Sequence, residues 1–195
     1  LFFTLSNEPF AGLVRQITIK NLERSPLEIE LLDGLPGIVP YGLDNGALKH
    51  VGRTIQAWMQ AENLENKIPF FRLKATPGDT AAVHAIEAGN YALAFHDDTL
   101  WTPIVDPVVV FGRDTGHTDA HLFYEQGLEG VLKAHQILEG RTPSAFFGGR
   151  LNIPASEERM LTSIFGFAPD LTAIQSDSET LLNQGYIDKK LLEAR

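Results

Sequence analysis

The chain has 195 residues, 44% of them hydrophobic, a net charge of −9 and no cysteine. That is enough apolar material for a packed core, and it rules out disulfides and thiolate metal sites. The acidic balance without any Lys/Arg cluster argues against a nucleic-acid partner. No run of about 18 apolar residues marks a membrane helix, so no membrane partner is expected, and the absence of cysteine fits a reducing, cytoplasmic setting.

Leu1 to Leu5 reads as a β-strand with no leader before it, and the expectation is that the N-terminal part of a longer protein precedes it. Val14 to Lys20 and Leu27-Glu28-Ile29-Glu30-Leu31 alternate apolar and polar residues across a turn at Asn21 to Pro26. Period-two alternation marks half-buried strands, and the pair reads as a hairpin. Asp44 or Asn45 caps an amphipathic helix running to about Glu62, with Leu48, Val51, Ile55 and Trp58-Met59 at helical spacing and Gly52 as a weak point.

Further strands are expected at Phe70 to Ala75, Ala81 to Ala88, Tyr91 to His96, Val108 to Phe111 and Met160 to Phe167. Turns at Thr76-Pro77-Gly78-Asp79 and Gly89-Asn90 separate three of them. Asp119 to Gln126 suits a short helix, and Ser178 to Arg195 a helix–turn–helix broken at Gly185. Many short strands at this spacing predict a mainly β, antiparallel sandwich or barrel. No linker composition divides the chain.

The chemistry-bearing groups are sparse. His117-Thr118-Asp119-Ala120-His121, with Asp114 nearby, is the most metal-like cluster, but it lacks the Glu of a zinc-protease motif. It reads better as hydrogen-bonding loop histidines, and no metal is expected. Asp97-Asp98 and Glu157-Glu158 are paired carboxylates. Neighbours in an extended strand point to opposite faces, so neither pair supplies the separation glycoside hydrolysis needs. Asp97-Asp98 is expected to form a turn and Glu157-Glu158 a solvated strand start.

Gly34-Leu35-Pro36-Gly37 and Phe147-Gly148-Gly149-Arg150 fit turns and match no phosphate-binding fingerprint. Among Tyr41, Trp58, Tyr91, Trp101, Phe123 and Tyr124, core packing is the usual use of an aromatic ring. Trp58 is expected to pack. Trp101, between Asp97-Asp98-Thr99 and Pro103, is expected to be exposed and available to a sugar ring. A mutarotase-like enzyme would instead need a His and a carboxylate in one cleft, with His84, His96 and Glu87 as candidates.

Several segments together resemble a known family. They are Leu32-Asp33-Gly34-Leu35-Pro36, Val39-Pro40-Tyr41-Gly42, Ala57-Trp58-Met59, Asn63-Leu64-Glu65-Asn66 and Pro69-Phe70-Phe71-Arg72. They are similar to the N-terminal region of cellobiose-phosphorylase-like proteins, the inverting phosphorylases of glycoside hydrolase family 94, nearest to the β-1,2-oligoglucan phosphorylases. Val110-Phe111-Gly112-Arg113-Asp114-Thr115 resembles that group's Phe-Gly-x-Asp stretch. Leu151 to Glu157 with Ile164 to Ala168 resembles its closing strand pair, although Ala155-Ser156 replaces the family's turn glycine.

The resemblance implies a galactose-mutarotase-like supersandwich of two large antiparallel sheets over residues 1–176. It implies that residues 177–195 begin a helical linker to a catalytic α/α barrel. In the family the general acid and the phosphate site lie in that barrel, and no segment here matches either. No catalytic residue is therefore assigned, no cofactor is expected, and inorganic phosphate is a co-substrate of the parent enzyme. The sandwich would brace the barrel, support a homodimer and lend contacts to an oligosaccharide or disaccharide. Tyr41, Trp101, Arg113 and Asp114 are the candidate sugar contacts. A stand-alone carbohydrate-binding module is the alternative.

Overall fold

The computed structural model describes residues 1–43, 45–76 and 84–194. Asp44, Arg195, the turn residues 77–79, the expected strand start 81–83 and the side chains of Leu48 and Val51 lie outside the described residues.

The chain is mainly β, with two antiparallel sheets and a few helices. The larger sheet contains β1 (Phe2–Thr4), β2 (Ala11–Lys20), β4 (Met59–Glu62), β5 (Phe70–Leu73), β6 (Gly89–His96), β7 (Thr99–Leu100) and β10 (Glu158–Ala168). Its order is β1-β2-β10-β6-β5-β4, with β7 paired to β6. The smaller sheet has the order β3-β9-β8, built from β3 (Leu27–Leu35), β8 (Thr102–Ile104) and β9 (Ala145–Ile153). It is a three-stranded sheet, smaller than the second large sheet expected.

Side-chain alternation explains the layering. On β6, Ala92 and Ala94 face the small sheet, while Tyr91, Leu93 and Phe95 face the other way. Between the sheets, Phe71, Trp101, Phe147, Leu151 and Leu161 form one core. On the far side of the large sheet, α4 (Leu171–Leu181) and α5 (Gln184–Glu193) bury Ile174, Leu181 and Ile187 against Leu93, Phe95 and Ile164. Outside the small sheet, α2 (Val108–Phe111) and α3 (His121–Lys133) close a third core with Ile104 and Phe146. The order of layers is helices, large sheet, small sheet, helices. Each fully buried Leu or Phe contributes about 1.5–3 kcal/mol to holding them together.

Several expectations need correction. Val108–Phe111 is a helical turn, not a strand: Asp106 Oδ1 accepts the Val108 N–H at 3.0 Å, and a short apolar run does not reveal its own period. The first helix, α1 (Asn45–Gln56), is broken at Gly52, where φ is 29°. It ends before Met59–Glu62, which pairs with β5 and buries Met59 and Ala61 as a strand. Trp58 lies between them and is exposed rather than packed.

Residues 84–88 form no strand. Ala145–Ile153, whose glycines suggested a turn, is a central strand. The first C-terminal helix begins at Leu171, ahead of the start expected at Ser178. Their break is at Leu182-Asn183, where Asn183 Oδ1 caps Tyr186 N–H at 3.1 Å; Gly185 is helical. The short helix expected at 119–126 starts at His121 and breaks after Gln126 at Gly127, where φ is 68°; a second helical segment runs on to Lys133.

Candidate functional site

Beyond the end of β3, the segment Gly37–Val39 arches over the large sheet and encloses an open cavity of about 480 Å³. Its floor is Ala11 and Leu13 of β2 with Phe165 and Phe167 of β10, residues that share one face of the sheet. Pro36 and Pro40 restrict the arch to extended geometry, and Ile38 N–H donates to the Pro143 carbonyl at 2.7 Å.

Tyr41 follows directly. Its N–H donates to Asn90 Oδ1 at 2.8 Å, and its ring packs on Phe167 at 4.5 Å between centroids. The side chain remains 50% exposed. Asn90 donates in turn to the Gly166 carbonyl at 3.3 Å. An aromatic face is thus held at the lip of the cavity on a fixed main chain.

Tyr91 also lines this cavity, and its ring lies across a glycine pair. Gly166 is opposite both Gly12 on β2 and Tyr91 on β6. A Cβ on Gly166 would come within 2.4 Å of Tyr91 Cε1. The Tyr91 hydroxyl is buried without a hydrogen-bond partner among the described residues, and burial, reinforced by Tyr186, pushes its pKa up.

The other sequence candidates lie elsewhere. Trp101 is not exposed: it is 6% accessible, in the core between the sheets. Arg113 and Asp114 belong to the loop between α2 and α3, in the helical layer outside the small sheet. Arg113 is exposed. Asp114 staples that loop, accepting from Gly116 N at 2.8 Å, Thr118 N at 2.7 Å, Thr118 Oγ1 at 2.9 Å and Asp119 N at 3.0 Å. These bonds, led by those from Thr118, hold its carboxyl far below the usual range. The structure therefore does not gather Tyr41, Trp101, Arg113 and Asp114 into one site.

His117 packs on Phe111 at 4.8 Å, and His121 covers Gly112. Among the described residues no group of three or more His, Asp or Glu side chains is arranged to hold a metal.

One juxtaposition was not visible in sequence. The β6–β10 register brings the Asp97-Asp98 turn beside the start of β10. His96, Asp97, Asp98, Glu158 and Gln184 line a cleft of about 360 Å³. Asp97 and Asp98 both have positive φ, as a tight hairpin turn requires. His96 Nδ1 is 3.0 Å from the Met160 carbonyl and so donates to it, and Nε2 lies 3.3 Å from Asp97 Oδ2. Asp98 Oδ1 accepts the Gln184 N–H at 3.2 Å and so anchors the start of α5. Glu87, by contrast, lies 3.5 Å from Arg72 on β5. His84 lies in the irregular segment before β6.

No family model matches the chain, and no curated protein matches it. No helix among the described residues is long and apolar enough to cross a membrane.

Proposed function

We propose that this chain is a non-catalytic β-sandwich domain of a larger carbohydrate-active enzyme, of the inverting glycoside phosphorylase kind acting on β-linked glucosides, and that the cavity beside Tyr41 contacts sugar. One observation carries the sugar contact: Tyr41 presents a half-exposed ring at the lip of the cavity, fixed through Asn90 and Phe167. A sugar ring has an apolar face that stacks on such a surface, while hydroxyl groups take hydrogen bonds from a few polar side chains in the wall. Asn90 is the polar side chain available in the cavity wall. The parent enzyme would carry its acid catalyst and phosphate site in another domain. This domain would brace that partner, support a homodimer and extend the sugar path.

Calorimetric titration of the chain with glucosyl disaccharides and β-glucan oligosaccharides tests this reading. Weak binding is expected, lost about tenfold or more in Tyr41→Ala and unchanged in Trp101→Phe. Equal binding by Tyr41→Ala removes the cavity from the proposal. Phosphate consumption by the chain alone removes the non-catalytic reading.

A second reading rests on the His96 cleft. A histidine beside carboxylates can take the proton of a sugar's anomeric hydroxyl while an acid protonates the ring oxygen, opening the ring for reclosure on the other face, which is what mutarotation requires. Acceleration of glucose mutarotation by the chain, abolished in His96→Ala and Glu158→Gln, would favour it. A rate equal to buffer would reject it.

A further inference from the structure

The small sheet ends in an open edge. Among the described residues β3 pairs only with β9. β3 is nine residues long and carries Leu27, Ile29, Leu31, Leu32 and Leu35, yet none of its residues is buried. β9, paired on both sides, buries Ala145–Gly148, Leu151 and Ile153. A long, apolar, unpaired edge is a template for another strand, and proteins rarely leave one unguarded.

The large sheet shows where such a strand would lie. β9 touches β10 and β6. β3 lies further across, because Asp33 forms an ion pair with Arg15 of β2 and accepts from Ser163 of β10 at 3.0 Å. Moving from β9 to β3 in the small sheet therefore follows the direction from β6 through β10 to β2 in the large one. The next strand in that direction is β1, and among the described residues no strand lies over it. Phe2 of β1 is opposite Arg15 in register, on the same face, and is 64% exposed. A strand added beside β3, about 4.8 Å away in the sheet and about 10 Å above β1, would lay its inward side chains on Phe2.

Charge selects the occupant. Ile29, Leu31 and Asp33 face the large sheet, so Glu28 and Glu30 lie on the outer face of β3. Glu30 is taken by Arg150 at 2.8 Å and by the Leu128 N–H at 2.8 Å. Glu28 is exposed and has no ion pair among the described residues. A cation directly across the strand pair would complement it. A second copy of this chain, with its net charge of −9, is the poorer match.

We infer that the β3 edge binds an extended polypeptide strand of alternating apolar and basic residues, which adds to the small sheet and covers Phe2. Backbone hydrogen bonds supply the attachment and the alternate side chains the selectivity.

The test is titration of the chain with a capped Lys-Val-Lys-Ile-Lys-Val-Lys peptide, read by amide hydrogen exchange and chemical shifts. The control peptide has the same composition with its apolar residues contiguous. Slowed exchange across residues 27–35 is expected with the alternating peptide alone. Phe2→Asp and Glu28→Lys should each weaken binding about tenfold, with only the Glu28 effect shrinking in high salt. Both side chains are exposed, and an unchanged melting temperature in each variant shows that the fold is intact. Three outcomes overturn the inference: no protection of β3 at millimolar peptide, equal affinity for the control, or both variants binding as the parent does. Protection of β3 that instead tracks dimerisation in sedimentation also overturns it, because the occupant is then a second copy.

Discussion

The indole of Trp101 lies flat against the main chain of Gly149: a Cβ at that glycine would stand 2.4 Å from both Cδ2 and Cε2. The two residues explain each other. Trp101 is buried between the sheets because β9 has no side chain at that point, and Gly149 belongs to a strand because a tryptophan fills the space above it. Gly149→Ala should therefore destabilise the fold by about 1–3 kcal/mol through overpacking, read as a lower urea midpoint and a red-shifted Trp101 emission. A midpoint equal to the parent's would mean that the indole shifts freely and the contact is not a constraint.

This pair also shows what was legible in the sequence. Alternation placed β2 and β3, and turn signals bounded β6 and β10, which bury residues on both faces, all within a few residues of their ends. The same rule missed β9, because Gly148 and Gly149 carry no side chains to alternate, and their strand role depends on Leu128 and Trp101 from distant parts of the chain. Trp101 was misread for the reciprocal reason: its polar neighbours suggested a surface loop. Val108–Phe111 has too few residues to show a period, and the group that decides it is the Asp106 cap. At the site, Tyr41 was visible as an aromatic between turns. Its partners Asn90 and Phe167, and the meeting of His96 with Glu158, follow only from the β6–β10 register.

Asp106 is a second point where distant segments are tied together. Its carboxylate is buried and accepts from Val108 N at 3.0 Å, Ile137 N at 2.9 Å and Arg141 Nη1 at 2.7 Å. Asp106→Ala should cost about 3 kcal/mol, the low end for a broken buried pair, because Arg141 keeps some access to water. Chemical denaturation checks the magnitude. Arg141→Met should cost less, since the two backbone donors keep their acceptor. The reverse ranking would show that the ion pair, not the capping, matters most.

The α2–α3 loop should resist acid further than an ordinary carboxylate would allow. Asp114 has a folded pKa below its unfolded value of 3.8. Its contribution is therefore complete above the unfolded value and is lost only as pH falls through the lower folded one. The amide shifts of Gly116, Thr118 and Asp119 should stay constant from pH 7 to about 4 and move only at more acid values. In Asp114→Ala they should report a disordered loop at every pH. Titration of these amides centred near pH 4 would show that the four hydrogen bonds do not hold the carboxylate.

The opposite sign governs α5. Lys190 is buried on the side facing the β1–β2 connection, where Nζ donates to the Ser6 carbonyl at 2.7 Å and pairs with Glu8 at 2.6 Å and Glu193 at 2.9 Å. Glu8 first, then Glu193, raises its pKa. A raised folded pKa gives a contribution that is complete below the unfolded value of 10.5 and is lost as pH rises through the folded one. The helix should therefore detach in alkali before the sandwich melts. At neutral pH, Lys190→Met leaves Glu8 facing an apolar chain. Amide exchange in Gln184–Glu193 should then rise about tenfold, while β6 and β10 exchange as before. Because Ile187 still packs under α5 in the variant, a helix that exchanges no faster than the parent would assign its attachment to apolar contact alone.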